Sequence, residues 1–388
     1  MITLSRLQKR IALKRKIAMI FLMLPLGLSF VFVLLILRYD RWHSRFSHDH
    51  DICGVQKFHQ RAVPRVGGVA IILAAISCVA VTAILDAPAS HRLGLFMLCS
   101  LPAALSGFAE DLTKRVSPRA RLTCALVSGL LASRFLHATV SVVHVPIIDL
   151  ILSVGPAALV FSSFAVAGVT HAVNIIDGFN GLASGVSLLV LSSIALVAYL
   201  AGDQFVFFAA LMIAGSILGF FVWNFPRGAI FLGDGGAYFI GYSIAVLALV
   251  LVSENPTVSP WYGALALIYP VFETLFTIYR RKFVQGKPVG QPDGLHLHTL
   301  VHRRITCSSQ PRFGLTSNSM TSPYLWVLCL MPLLPASIFW NQDVSLVVSL
   351  GLFILLYVYL YACLVNFRAP LLFKASRSAR PRLRRRGV

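Results

Sequence analysis

The chain has 388 residues, of which 57% are hydrophobic and 12% charged, about half the charge of an ordinary soluble domain. With a mean hydropathy of +0.79, this composition excludes a cytosolic globular enzyme, a secreted disulfide scaffold and a disordered tail protein. The net charge of +20 would point to nucleic acid on a soluble chain, whereas on so apolar a chain it points to basic loops along one side of a membrane.

In chain order, a basic segment at 1–16 carries Arg6, Lys9, Arg10, Lys14, Arg15 and Lys16. Apolar runs follow at roughly 17–37, 66–86, 91–108, 122–136, 150–171, 183–200, 205–223, 237–252, 261–279, 323–340 and 344–366. Each approaches the ~20 residues needed to cross a bilayer. The run at 122–136 is the shortest and contains Arg134. None alternates with period two, so the runs read as helices rather than barrel strands. The expected fold is all-α: one polytopic membrane domain at 17–366 with about eleven transmembrane helices, or ten, and a basic tail at 367–388.

The loops divide by charge. Segments 38–65, 109–121 and 280–322 hold six, four and seven Lys or Arg, and the tail holds eight. The alternate loops at 87–90, 137–149, 201–204, 253–260 and 341–343 hold none. This is a positive-inside pattern with a cytoplasmic C-terminus. The N-terminal segment resists it, because eleven spans would leave its six charges outside. A count off by one, a segment lying on the membrane surface, a downstream start and an uncleaved signal anchor all accommodate it. The Arg-rich tail reads as a clamp on anionic lipid headgroups, not as a nucleic-acid site. The seven cysteines show no CxxC spacing and read as small hydrophobes.

Acids are scarce, fourteen in all, so their placement is informative. Asp86, Asp149, Asp203, Glu254 and Asp343 fall by the charge-free loops and read as solvated. Glu110, Asp111, Asp177, Asp234 and Asp293 fall at or just beyond the cytoplasmic ends of spans, although the loops at 172–182 and 224–236 hold none and one Lys or Arg. Only Glu273 lies clearly inside a run. Carboxylates gathered at one face suit a hard cation and a polar substrate, whereas an ion carrier would place them near the midplane.

Four contexts hold these acids. In GFAEDLTKRVSPRARL the adjacent Glu110 and Asp111 precede four basic residues, as a cation-held pair or a solvated helix end. In NIIDGFNGLASG, Asn174, Asp177 and Asn180 recur every three residues among glycines. That pattern suits a nucleotide or diphosphate, and it also suits a plain turn. In FPRGAIFLGDGGAYFIG, Asp234 sits in a glycine-lined turn, as a Mg²⁺ ligand or a turn former. In YRRKFVQGKPVGQPDGLHLHTLVHRR, His296 and His298 accompany Arg280 and Arg281. HxH spacing can bind metal, but so basic a cluster is better suited to phosphate.

Five ordered motifs carry a resemblance: AVPRVGG at 62–68, the acidic pair at 110–111, NIIDGFNGL at 174–182, FLGDGG at 231–236 and PDGLHLH at 292–298. Together they make the chain resemble the polyprenyl-phosphate N-acetylhexosamine-1-phosphate transferases of glycosyltransferase family 4, in the undecaprenyl-phosphate N-acetylglucosamine-1-phosphate transferase-like branch. The resemblance implies Mg²⁺-dependent transfer of a sugar 1-phosphate, N-acetylglucosamine 1-phosphate foremost, from a UDP-N-acetylhexosamine to undecaprenyl phosphate. UMP leaves, and the product starts a surface polysaccharide such as O-antigen. A deoxy-aminosugar donor (UDP-N-acetylfucosamine or UDP-N-acetylquinovosamine) is the alternative, and Mn²⁺ is an alternative metal. Membrane lipids are partners, nucleic acid is not, and a homodimer is an open assembly. The implied location is the bacterial inner membrane, with the site facing the cytoplasm. A transporter or flippase is a distant alternative, since no internal repeat is present.

Carried over by position, Asp234 corresponds to the metal-binding aspartate, and Glu110 and Asp111 to the catalytic acidic pair. Asp177 corresponds to the catalytic aspartate near the diphosphate. Asn174, Asn180, Arg65, His296, His298, Arg280 and Arg281 correspond to substrate-binding positions. Three departures stand out. Glu110 replaces an aspartate common in the family, HLHT lacks a third histidine, and Asn180 stands where an aspartate is common. The histidine pattern argues against a muramoyl-pentapeptide donor.

Overall fold

The structure, a computed structural model, describes residues 2–41, 44, 63–85, 89–288, 290, 293–306 and 316–366. The expected tail at 367–388, Ala62 and Pro292 of the motifs, Asp86, Cys53 and Cys307 lie outside the described residues. All eleven apolar runs are helical. In chain order the helices are α1 (Ile2–Arg38), α2 (Gly67–Ile84), α3 (Ser90–Thr113), α4 (Pro118–Phe135), α5 (Pro146–Leu152), α6 (Gly155–Ile176), α7 (Leu182–Ala201) and α8 (Gln204–Asn224). They continue with α9 (Gly233–Glu254), α10 (Pro260–Ala266), α11 (Ile268–Tyr279), α12 (Leu297–Val301), α13 (Thr321–Ile338) and α14 (Asp343–Val365). Short π-helical turns follow α11 and α12, at Arg280–Val284 and His302–Thr306.

The chain is a multi-pass helical membrane protein. Among the described residues, nine helices are long and apolar enough to cross a bilayer. A tenth crossing forms if α10 and α11, bent by 70°, count as one broken span. The bend has a local cause: Pro270 has no N–H to bond back across the joint at Leu267. The run at 122–136 is helix α4, whose Arg119, Arg121 and Arg134 keep it out of the apolar set. The basic segment and the first span form one helix, α1.

Small residues set the packing. Inside a bilayer, helix association depends on close van der Waals approach, because lipid tails already satisfy apolar surface. Gly215 and Gly219 of α8 form a G-xxx-G stripe against α1. A methyl group at either would meet the carbonyl of Leu22 at 2.2 Å or of Leu26 at 2.4 Å. The most buried helix is α9, which packs against α3, α6, α2 and α7. Gly68 of α2 meets the α9 backbone at Gly236, and Gly107 of α3 meets it at Gly235.

These contacts give the bundle two polar ends. Helices α3 and α9 run antiparallel, so Asp111 near the end of one lies beside Asp234 at the start of the other. At the opposite end Arg92 pairs with Glu254, Asn255 donates to Asp203 at 2.9 Å, and His144 meets Asp343 at 2.6 Å. Asp203, Glu254 and Asp343, read as solvated, therefore lie apart from Asp111 and Asp234.

Candidate active site

The site begins with main chain. The Phe231 N–H donates to Pro64 O at 2.8 Å, and the N–H groups of Gly67 and Gly68 donate to Phe231 O and Leu232 O, each at 2.9 Å. The AVPRVGG and FLGDGG motifs are thus stitched together, although 163 positions apart. Gly233 has φ of 76°, a conformation that costs glycine little. A methyl group there would strike Arg65 O at 2.2 Å and Asp111 Oδ2 at 2.7 Å.

This turn delivers three acids and two arginines to one place. Asp111 Oδ1 accepts the Asp234 N–H and Oδ2 accepts the Gly235 N–H, both at 2.9 Å. These are free amides of the first α9 turn, where a carboxylate also meets the positive end of the helix dipole. Arg65 donates to Asp234 Oδ1 at 3.2 Å and lies 3.7 Å from Asp111 Oδ1. Arg121 pairs with Asp234 Oδ2. The Asn174 side chain of α6 lies close enough to favour the charged form of the Asp234 carboxylate.

Asp177 caps the C-terminus of α6. Its carboxyl is pushed up to about 7, first by burial and then by Asp234 and Asp111, with Arg65 opposing them. Three acids sensing one another beside two arginines and an amide form a site for a positively charged or phosphate-bearing ligand.

The acidic pair divides. Successive helix positions point about 100° apart. Asp111 therefore turns inward and is buried, while Glu110 accepts the Val116 N–H at 2.8 Å and braces the turn into α4. Glu110 still lies near enough to Asp234 to oppose its charge.

Asn180 is tied to protein. Its Nδ2 donates to Pro226 O at 3.2 Å, its N–H donates to Asn318 Oδ1 at 2.9 Å, and its carbonyl accepts from Ser322. Arg280 and Arg281 lie in the π-turn after α11 and grip the following loop. Arg280 pairs with Asp293, and Arg281 donates to Pro288 O. Burial raises the Asp293 carboxyl, but the bond and charge of Arg280 outweigh this and hold it below the usual carboxylate range.

His296 and His298 stack face to face, with ring centroids 5.0 Å apart. A methyl group on Gly178 would lie 3.3 Å from His298 Nε2, so the histidine segment packs on the turn that follows Asp177. Burial holds the His298 ring down to about 4, with Glu273 opposing and His296 assisting, so it is neutral at pH 7. The unfolded histidine titrates near 6.5. Between about 4 and 6.5 the unfolded chain therefore binds more protons than the folded one, and stability rises with pH. His298→Asn is expected to remove up to about 1.4 kcal/mol per pH unit of that slope. Thermal unfolding of wild type and variant across this range measures the difference.

Sequence reasoning passed over Arg121, Tyr238 and His171. Arg121 was counted as a loop charge, and its position one turn into α4 was the available signal. Tyr238 lies one turn beyond Asp234, within 3.3 Å of His171 Nδ1.

With this geometry in place, comparison with known proteins is decisive. The model of glycosyl transferase family 4 matches residues 93–252. The chain is similar to the undecaprenyl-phosphate alpha-N-acetylglucosaminyl 1-phosphate transferase of Thermotoga maritima, with 31% identity over 250 residues, 64% of this chain and 72% of the relative. The chain belongs to glycosyl transferase family 4. A probable undecaprenyl-phosphate N-acetylglucosaminyl 1-phosphate transferase of Bacillus subtilis is also 31% identical, over 63% of this chain and 66% of the relative. A phospho-N-acetylmuramoyl-pentapeptide-transferase of Streptococcus pneumoniae is 26% identical, over 62% of this chain and 76% of its own. These are phosphoglycosyltransferases, and the span of the family match holds Asp111, Asp177, Asp234, Asn174 and Arg121.

Proposed function

We propose that this family 4 transferase moves N-acetylglucosamine 1-phosphate from its UDP-sugar to undecaprenyl phosphate at the cytoplasmic face of the bacterial inner membrane, starting a surface polysaccharide such as O-antigen. The lipid phosphate oxygen forms a bond to the β-phosphorus, the bond to UMP breaks, and UMP leaves. The observation that carries this reading is the convergence of Asp111, Asp177 and Asp234 with Arg65 and Arg121 at one end of the bundle. Phosphoryl transfer depends chiefly on positioning and on neutralising charge, and a site at the edge of a membrane admits one lipid and one nucleotide substrate.

The residues divide the work. Arg65 and Arg121 offer guanidinium donors to phosphate oxygens. Asp111 is occupied by two backbone amides and holds the start of α9 in place. Burial pushes the Asp177 carboxyl up to about 7, which suits it to receive a proton from the lipid phosphate. His296 and His298 face the donor from the far side of the Asp177 turn.

A divalent ion fits the chemistry of the donor set. The site offers hard oxygens, and Mg²⁺ is commonly held by one or two carboxylates plus substrate phosphates rather than by a full protein cage. Among the described residues no trio of His, Cys, Asp or Glu forms a ready-made cage. Asp234 would hold the ion, which would neutralise charge on the diphosphate. Purified protein given UDP-N-acetylglucosamine, undecaprenyl phosphate and Mg²⁺ is expected to release UMP, and EDTA is expected to stop it. Release of UDP would overturn the reading, because it would mean transfer of the sugar without its phosphate. A panel of UDP-sugars with mass spectrometry of the lipid product identifies the donor.

A further inference from the structure

Glu273 is the acid that the sequence placed inside an apolar run, and the site as described leaves it without a task. On α11 its side chain is fully buried. Burying a carboxylate costs several kcal/mol, and carboxylates retained inside spans mark function. The partners show what Glu273 serves. Oε1 accepts the Leu297 N–H at 2.8 Å and lies 3.3 Å from His296 Nδ1. One turn along, Thr277 Oγ1 lies 3.2 Å from the same Nδ1. Oε2 has no hydrogen bond of normal geometry, and the buried Tyr269 and Tyr357 hydroxyls, likewise unbonded, lie close to the carboxylate.

A ring nitrogen facing a carboxylate carries the proton, which leaves the other nitrogen to face the ligand. A carboxylate behind an imidazole also makes it more basic. We propose that Glu273 is the positioning residue of His296: it holds the proton on Nδ1 and orients the ring so that Nε2 faces the donor diphosphate. This rests on the transferase reading. The groups facing the pair are Tyr269 and Thr277 from α11, Tyr357 and Tyr361 from α14, Arg280 and Asp293 from the adjoining loop, and His298 from its own segment. Asp293 is already paired with Arg280, so Glu273 is the carboxylate within ion-pair distance of the ring.

The test is kcat and KM for the UDP-sugar, read as UMP release by the full-length protein in nanodiscs. In Glu273→Gln kcat/KM is expected to fall about tenfold, with KM changing more than kcat, and Glu273→Asp should return part of the loss. In His296→Asn, adding Glu273→Gln should cost less than about twofold more, because coupled residues do not add. An unchanged kcat/KM in a folded Glu273→Gln protein, or fully additive losses, would overturn the proposal. A second measurement needs no Glu273 variant: ¹⁵N spectra of histidine-labelled wild type should show the neutral ring that vanishes in His296→Asn protonated at Nδ1. Protonation at Nε2 would overturn the pairing. Wild type that releases no UMP would instead overturn the transferase reading and leave the spectrum to test the pairing.

Discussion

Asp234→Asn is expected to lower UMP release by about 10²–10³-fold while the protein stays folded, a loss of the size seen when one preorganised electrostatic group is removed from an active site. The substitution keeps the shape and the backbone N–H that Asp111 accepts. It removes the charge that holds Arg65 and Arg121 together. Both guanidiniums would then face each other without a shared anion, and the site would lose its central hard oxygen donors. Both arginine side chains keep some exposure, 29% and 16%, so water offsets part of their loss and the fold should survive. Steady-state kinetics beside a thermal unfolding curve separates the two effects. Full activity in the variant would take Asp234 out of the site. A loss matched by unfolding would make its role structural.

Gly107→Ala is expected to cost about 10²-fold in turnover without touching a reacting group, since a misplacement of about 1 Å is enough for such a loss. The added methyl would stand 2.6 Å from Gly235 Cα and 2.7 Å from the Asp234 carbonyl carbon. Those neighbours are backbone, with no side chain to turn aside, so α3 and α9 must separate. The separation pulls Asp111 from the two amides it accepts at 2.9 Å, and the acid cluster loosens. Overpacking of this kind costs about 1–3 kcal/mol. Gly94→Ala, on the same helix with open space around it, is the control and should match wild type in activity. Equal behaviour of the two variants would show that the helix crossing does not set the geometry of the site.

Much of the molecule was legible in the sequence because a membrane makes hydropathy and charge read as geometry. Apolar stretches of span length must be helices, since lipid leaves no other way to satisfy the backbone. Asp111, Asp177 and Asp234 could therefore be set at span ends on one side of the bundle. Asp203, Glu254 and Asp343 were separated from them by the same counting. The family was carried by motifs whose glycines sit where main chain meets main chain, as at Gly68 and Gly233.

Other features could not be read in one dimension. Glu110 and Asp111 look equivalent as neighbours, but only the rotation of α3 against α9 decides that one accepts amides at the heart of the site and the other braces a turn. Arg121 counted as one more loop charge until α4 packed it against Asp234. Arg280 and Arg281 looked like phosphate ligands and are bound to their own loop. Glu273 stood out as an anomaly, and its purpose became visible only when the histidine segment folded back on α11. Hydropathy and charge act along the chain and are written in residue order, so the spans and the division of their loops by charge belong to the sequence. Which oxygen meets which proton depends on helix rotation and on the close approach of glycine surfaces, and those are settled between segments more than a hundred residues apart.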